Sequence, residues 1–306
     1  MVTRPVAIAV LFPGQGTQTP HMGDPWRGSP AWEIVERAEN ALGQPLAPLL
    51  LDATESDLRR TREAQLAVLL TSLLAWEAVR TQLPGPVAFA GHSLGQITAL
   101  IASGALRLED GVRLAVQRAD CTQAAADANP GRMAALIGAD VDVAEQACAG
   151  LDAWVANDNA PGQVVIGGTP DGLEAATEAA NALGVRRVIK LNVGAAFHTP
   201  LMAAAAQALR PHLEATAFRA PSAPVVSNTD AQPHATAEGW PAMLADHLIS
   251  PVRWRSSLET MAGLGADTFF EVGPGNVLAG LAKRTLGSSV ILRSVSVPTD
   301  ALLEVA

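Results

Sequence analysis

The 306-residue sequence contains no tyrosine, six phenylalanines and two cysteines, and aromatic residues make up 4% of it. So few aromatics leave the core to small aliphatic side chains, abundant alanine among them, which suits helices packed closely on a sheet. Cys121 and Cys148 form no disulfide framework, and no paired Cys/His spacing marks a metal site, so both read as reduced core thiols. No run of like charge and no basic stripe occurs, and the net charge is −9, which excludes nucleic acid as a partner. An acidic partner would have to dock on a local basic patch against that field. With 49% hydrophobic and 17% charged residues, the chain is not disordered. The apolar run Val6 to Phe12 is too short to span a membrane, and Pro13-Gly14 follows it with no small-residue cleavage site. The expectation is a cytoplasmic protein with no membrane segment and no internal repeat, and nothing demands more than a monomer.

The patterning predicts an α/β fold. Residues 6–12 read as a parallel-type strand and 64–81 as a helix through Leu66, Leu69, Leu70, Leu73 and Trp76. Val87 to Ala90 is a short strand, and helices are expected from Leu94 to Gly104 and over 108–127. The rhythm then changes. Strands at 133–137, 154–157, 163–166 and 186–193, with helices at 141–149 and 170–183, give a β-α-β-β-α-β order. This is read as a ferredoxin-like subdomain, 129–193, inserted into a larger α/β subdomain of residues 1–128 and 194–306. Helices at 199–215, 238–248, 255–264 and 275–283 and strands at 225–226 and 268–272 complete the chain.

Gly91-His92-Ser93-Leu94-Gly95 lies between a strand and a helix. In a G-x-S-x-G turn the glycines permit a sharp strand-to-helix bend that lifts the serine hydroxyl clear of the backbone. The N–H groups of the helix start favour negative charge developing there. A hydroxyl needs a base to become a nucleophile, and six histidines are available: His21, His92, His198, His212, His234 and His247. His92 adjoins Ser93, but neighbours on a tight turn point apart. His198 lies in a loop just past the last middle strand, where catalytic residues gather, and is the preferred base. Asp230, Asp246 or a backbone carbonyl could orient it.

The segments Phe12 to Gln18, Gly91 to Gly95, Arg118, Asn159 to Val165, Ala196-Phe197-His198, Val226-Ser227-Asn228, Pro251 to Trp254 and Glu271 to Gly275 follow one another in a specific order. In them the chain resembles the malonyl-CoA:acyl-carrier-protein transacylase family, whose members serve fatty-acid and polyketide synthesis. The resemblance covers nearly the whole chain and implies an α/β-hydrolase-like large subdomain. It implies that Ser93 carries the acyl group as an ester and that His198 is base and then acid. Gln15 and the N–H of Leu94 would hold the oxyanion, and Arg118 would clamp a malonyl carboxylate. Asn159, His92 and Phe197 would face the substrate, and the main-chain carbonyl of His247 would orient His198. Malonyl-CoA and an acyl carrier protein are the implied partners, coenzyme A enters as part of the substrate, and no cofactor or metal is expected. Two positions depart from the family pattern: Gln96 where Glu is usual, and His247 where Gln is usual.

Arg118 decides the acyl unit. Alone, an arginine in an Ala- and Leu-rich helix could be a solvated residue or a surface ion pair. The family position makes it a two-pronged carboxylate ligand, a geometry lysine does not offer. Ala196-Phe197 resembles the form associated with malonyl rather than methylmalonyl selection. The same parts would also serve a polyketide-pathway acyltransferase with another acyl unit, or a thioester hydrolase clearing acylated carriers. A non-catalytic carrier-docking module is the reading from another class. Arg186, Arg187, Lys190, Lys283 and Arg284 are the candidate docking cations for an acidic carrier.

Overall fold

The computed structural model describes residues 6–299; the outer ends of the expected large subdomain, 1–5 and 300–306, lie outside the described residues. The chain opens with β1 (Ile8–Phe12), every residue of which is buried. Helices α1 (Glu33–Leu42) and α2 (Ala47–Leu51) follow, two elements the sequence reading did not include. Next come α3 (Thr61–Val79), β2 (Ala88–Gly91), α4 (Gly95–Ala102) and α5 (Leu108–Ala128). The middle of the chain gives β3 (Arg132–Ile137), α6 (Val141–Cys148), β4 (Ala153–Ala160), β5 (Gln163–Gly168), α7 (Pro170–Ala182) and β6 (Arg187–Lys190). The chain continues through α8 (Ala203–Glu214), β7 (Val225–Val226), β8 (Pro233–His234), α9 (Trp240–Asp246) and β9 (Val252–Arg253). It closes with α10 (Trp254–Gly263), β10 (Thr268–Val272), α11 (Val277–Leu286) and β11 (Ile291–Val295).

Two sheets result. The larger runs β11-β10-β1-β2-β7-β8, parallel throughout except for the β7–β8 pair. Alternate residues of β1 serve opposite faces, as the two-residue strand period requires. Ile8, Val10 and Phe12 join α3 and its neighbours in one core, while Ala9 and Leu11 join Trp254, Leu258 and Leu278 in another. Every residue of α3 from Ala64 to Trp76 is buried, so that stretch threads the first core rather than lining the surface. Trp76 of α3 meets Phe12 and Phe89 edge-on, at centroid distances of 6.1 and 5.5 Å, and pins that helix to the two strands leading into the site.

The smaller sheet runs β6-β3-β5-β4-β9. Each neighbouring pair among its first four strands is antiparallel, but β9 pairs with β4 in parallel, Asn157 opposite Val252 and Asp158 opposite Arg253. The small sheet therefore takes an edge strand from outside residues 129–193, and that strand ties it to the helix following it, α10. Strand β6 stops at Lys190, short of the expected Val193. Residues 191–199 instead form the loop that carries His198 toward Ser93. Pro200 has no N–H to give a helix interior, and a single 3-10 turn, Pro200–Met202, precedes α8. Both cysteines are free thiols, and burial pushes Cys148 up to about 11. Among the described residues no helix is long and apolar enough to cross a membrane, and no cluster of His, Cys, Asp or Glu could hold a metal.

Candidate active site

The bend between β2 and α4 exists because two of its residues lack a side chain. A Cβ on Gly91 would overlap the carbonyl of Gly95, and a Cβ on Gly95 would overlap the carbonyl of Phe12 at the end of β1. With those approaches open, Ser93 takes φ 53°, a left-handed conformation that costs a non-glycine residue about 1–3 kcal/mol. Asn228, fully buried after β7, offsets that cost. Its Oδ1 accepts from the Ser93 N–H at 2.8 Å, and its Nδ2 donates to the Gly91 carbonyl at 2.9 Å. Its own N–H donates to Gln96 Oε1 at 3.0 Å. This is what the neutral amide at position 96 does: it braces the asparagine that braces the serine. Replacing Gly95 by alanine is expected to lower stability by about 3 kcal/mol or more, read by denaturant unfolding, since the new methyl meets backbone that cannot swing away. A loss under about 1 kcal/mol would mean the bend is not tight.

His198, 3% exposed and itself at φ 61°, brings Nε2 to 2.7 Å from Ser93 Oγ. Its Nδ1 lies 2.8 Å from the carbonyl oxygen of His247. A carbonyl only accepts, so Nδ1 carries the proton and Nε2 presents its lone pair to the Ser93 hydroxyl. Neither aspartate left open by the sequence fills that orienting place: Asp230 pairs with His234 at 2.9 Å and Asp246 with Arg210 at 3.3 Å. The His247 ring lies against that of His198, centroids 4.7 Å apart.

Burial holds both rings neutral. His198 is pushed down to about 3, first by burial and then by the charge of Arg118, with the His247 carbonyl opposing. His247 is pushed well below the usual range, again first by burial. Unfolding returns each to about 6.5, so below that pH the unfolded chain binds more protons than the folded one. Stability is then full above pH 6.5 and is lost as pH falls toward the folded values, by up to about 1.4 kcal/mol per unit for each ring. We expect Tm to hold from pH 7.5 to about 6.5 and to drop steadily from there to pH 5, less steeply in His247→Gln, whose amide does not titrate. Equal slopes in the two proteins would refute this origin of acid sensitivity.

Arg118 of α5 is 5% exposed, which excludes a solvated or surface-paired role. Its Nη2 donates to Ser93 Oγ at 3.2 Å and its Nη1 to Gln65 Oε1. Among the described residues no carboxylate pairs with it. Burial lowers it only to about 10, so it is charged at neutral pH. Gln65, on α3 and 1% exposed, was not singled out from the sequence. The available signal was a long polar side chain inside the apolar run Ala64 to Leu70. His92 lies 2.8 Å by Nε2 from Oδ1 of Asn159 on β4 and meets Trp254 edge-on, so it fastens the small sheet to the serine turn. Enclosure lowers its pKa too.

Ser93, His198, Arg118 and His92 face a cleft of about 500 Å³ between the two sheets. Gln15, half-buried after β1, and Phe197, half-buried before His198, both line it. So do Leu94, whose N–H stands before the first turn of α4, and Asn159. The candidate docking cations Arg186, Arg187, Lys190, Lys283 and Arg284 are all exposed, and Arg284 reaches Gln163 Oε1 at the cleft wall. A hydroxyl beside an imidazole lone pair, N–H groups at a helix start and an unpaired guanidinium form a set that can transfer an acyl group bearing a second carboxylate.

Residues 10–301 match the family model described as "Acyl transferase domain". The malonyl CoA-acyl carrier protein transacylase of Bacillus subtilis (strain 168) is 36% identical over 306 residues, 98% of this chain and 96% of that protein. The Escherichia coli (strain K12) protein of the same name is 38% identical over 287 residues, 90% of this chain and 92% of that protein. A chain of the holo PlMCAT:AntF structure, a type II PKS acyl-carrier protein in complex with its malonyl-transacylase, superposes with TM-score 0.91 at 32% identity. It covers 97% of this chain and 98% of that one. The malonyl CoA-acyl carrier protein transacylase of Coxiella burnetii gives TM-score 0.91 at 30% identity, covering 97% and 96%. The chain belongs to the acyl transferase family, alongside the malonyl CoA-acyl carrier protein transacylases.

Proposed function

We infer that this chain moves a malonyl group from coenzyme A to the phosphopantetheine thiol of an acyl carrier protein, by way of an ester on Ser93. Ser93 Oγ attacks the thioester carbonyl carbon while His198 Nε2 takes the hydroxyl proton. The oxyanion rests on the N–H of Leu94 and on Gln15; one such donor is worth about 3 kcal/mol in the transition state. Collapse breaks the C–S bond, and His198 returns its proton to the departing thiolate. The carrier thiol then gives its proton to His198 and attacks the seryl ester, and the proton passes back to Ser93 as the C–O bond breaks. The observation that carries the malonyl assignment is Arg118: charged, buried, unpaired with any described carboxylate, and 3.2 Å from Ser93 Oγ. The acyl carrier protein as acceptor follows the names of the relatives.

The fold carrying these parts we read as an α/β-hydrolase-like large subdomain with a ferredoxin-like insertion at 129–193. The parallel strands around β1 and the antiparallel order β6-β3-β5-β4 support it. The same reading has the chain act as a cytoplasmic monomer with no cofactor. Incubation with malonyl-CoA and intact-mass measurement is the test: one malonyl adduct is expected on wild type and none on Ser93→Ala. The adduct should persist in buffer and be discharged by holo carrier protein. Rapid loss without carrier would make the chain a thioester hydrolase, and no adduct at all would leave a non-catalytic module.

A further inference from the structure

The Arg118 guanidinium is held by a group that does not neutralise it. Gln65 reaches across from α3 to α5, and the surrounding bonds fix its orientation. Thr122 Oγ1 donates to the Ala119 carbonyl at 3.0 Å, so its lone pairs are left to accept from Gln65 Nε2, 3.4 Å away. The amide oxygen must then face Arg118, where it takes the Nη1 proton. Gln65 is 1% exposed and Thr122 fully buried, so bulk solvent does not reach these contacts. Gln65 does not line the cleft, and its hydrogen bond to Arg118 is its link to the site.

We propose that Gln65 is a specificity-determining positioning residue, one that aims Arg118 at the acyl group while leaving its positive charge unspent for a substrate carboxylate. This rests on the acyl-transfer reading above. A carboxylate has nearly the same size and would accept the same Nη1 proton, after the Thr122 hydroxyl turned to donate to it. It would also pair with Arg118 internally. The site would keep its shape and lose its demand for an anion. A thioether at position 65 would do the reverse, leaving the charge but releasing the guanidinium from its fixed direction.

The test is the kcat/KM for loading Ser93 from malonyl-CoA and from acetyl-CoA, in wild type, Gln65→Glu and Gln65→Met. In Gln65→Glu malonyl loading is expected to fall about 100-fold, the scale of a lost charge-assisted pair, mainly through KM. Acetyl loading should hold or rise. In Gln65→Met the malonyl preference should shrink about tenfold and survive, since the charge is still there. A parallel fall for both donors would make Gln65 a packing residue only, and an unchanged malonyl-to-acetyl ratio in either folded variant would overturn the proposal. If Gln65→Glu does not fold, the ratio in Gln65→Met decides alone. Failure of wild type to load malonyl would instead bring down the acyl-transfer reading, and this inference with it.

Discussion

Replacing His198 by alanine should lower the single-turnover rate of acyl loading from malonyl-CoA by about 10⁴-fold, read by quenching and intact mass, with the fold intact by circular dichroism. The size follows from what is left behind. A serine hydroxyl has no nucleophilic power at neutral pH without an acceptor for its proton. None of the neighbouring groups can take over. Arg118 presents only donors to Ser93 Oγ. His92 adjoins Ser93, but its Nε2 is engaged with Asn159 and its ring is set against Trp254. His247→Gln is the matched control. It changes a side chain but keeps the carbonyl that receives the His198 Nδ1 proton, so loading should stay within about threefold of wild type. If His198→Ala retained a tenth of the wild-type rate, some other base would be at work. If His247→Gln lost as much as His198→Ala, the ring rather than the carbonyl would be the orienting group.

The serine turn and the histidine that faces it were legible because each has a local sign. Ser93 sits between glycines at the spacing a strand-to-helix bend needs, and His198 sits in a loop directly after a strand. The group that orients His198 had no such sign, because a main-chain carbonyl belongs to every residue and only the path of the chain after α9 brings that of His247 within reach. The same holds for Asn228, whose two bonds to the serine turn span 135 and 137 residues. Most helices and strands were read to within a few residues, because their apolar periods are sustained. Strand β9 was not: two residues carry no period, and it is a strand only because β4 lies beside it. Gln65 was missed for a related reason. Its position is recognisable as polar among apolar neighbours, but its purpose depends on Arg118, 53 residues later.

Replacing Arg118 by methionine should move activity and stability in opposite directions, and that combination separates a functional charge from a structural one. Loading from malonyl-CoA is expected to fall about 10²–10³-fold in kcat/KM, since removing one member of a desolvated charge pair costs about 2–5 kcal/mol and each 1.4 kcal/mol is tenfold. Loading from acetyl-CoA, which brings no carboxylate, should hold or improve. In the free protein the guanidinium is a buried charge facing no described carboxylate, and burial alone drags its pKa down to about 10. Methionine of similar length relieves that desolvation but strands the Gln65 oxygen, whose unpaired burial costs about 1–3 kcal/mol. The gain in Tm should therefore be small in Arg118→Met and appear fully in Arg118→Met combined with Gln65→Leu, where both polar partners go together. A structural role for Arg118 demands the other result, a double variant less stable than wild type with malonyl and acetyl loading reduced alike. The two readings differ in the sign of a melting shift and in the ratio of two rates, so no single loss of folding could imitate the expected outcome.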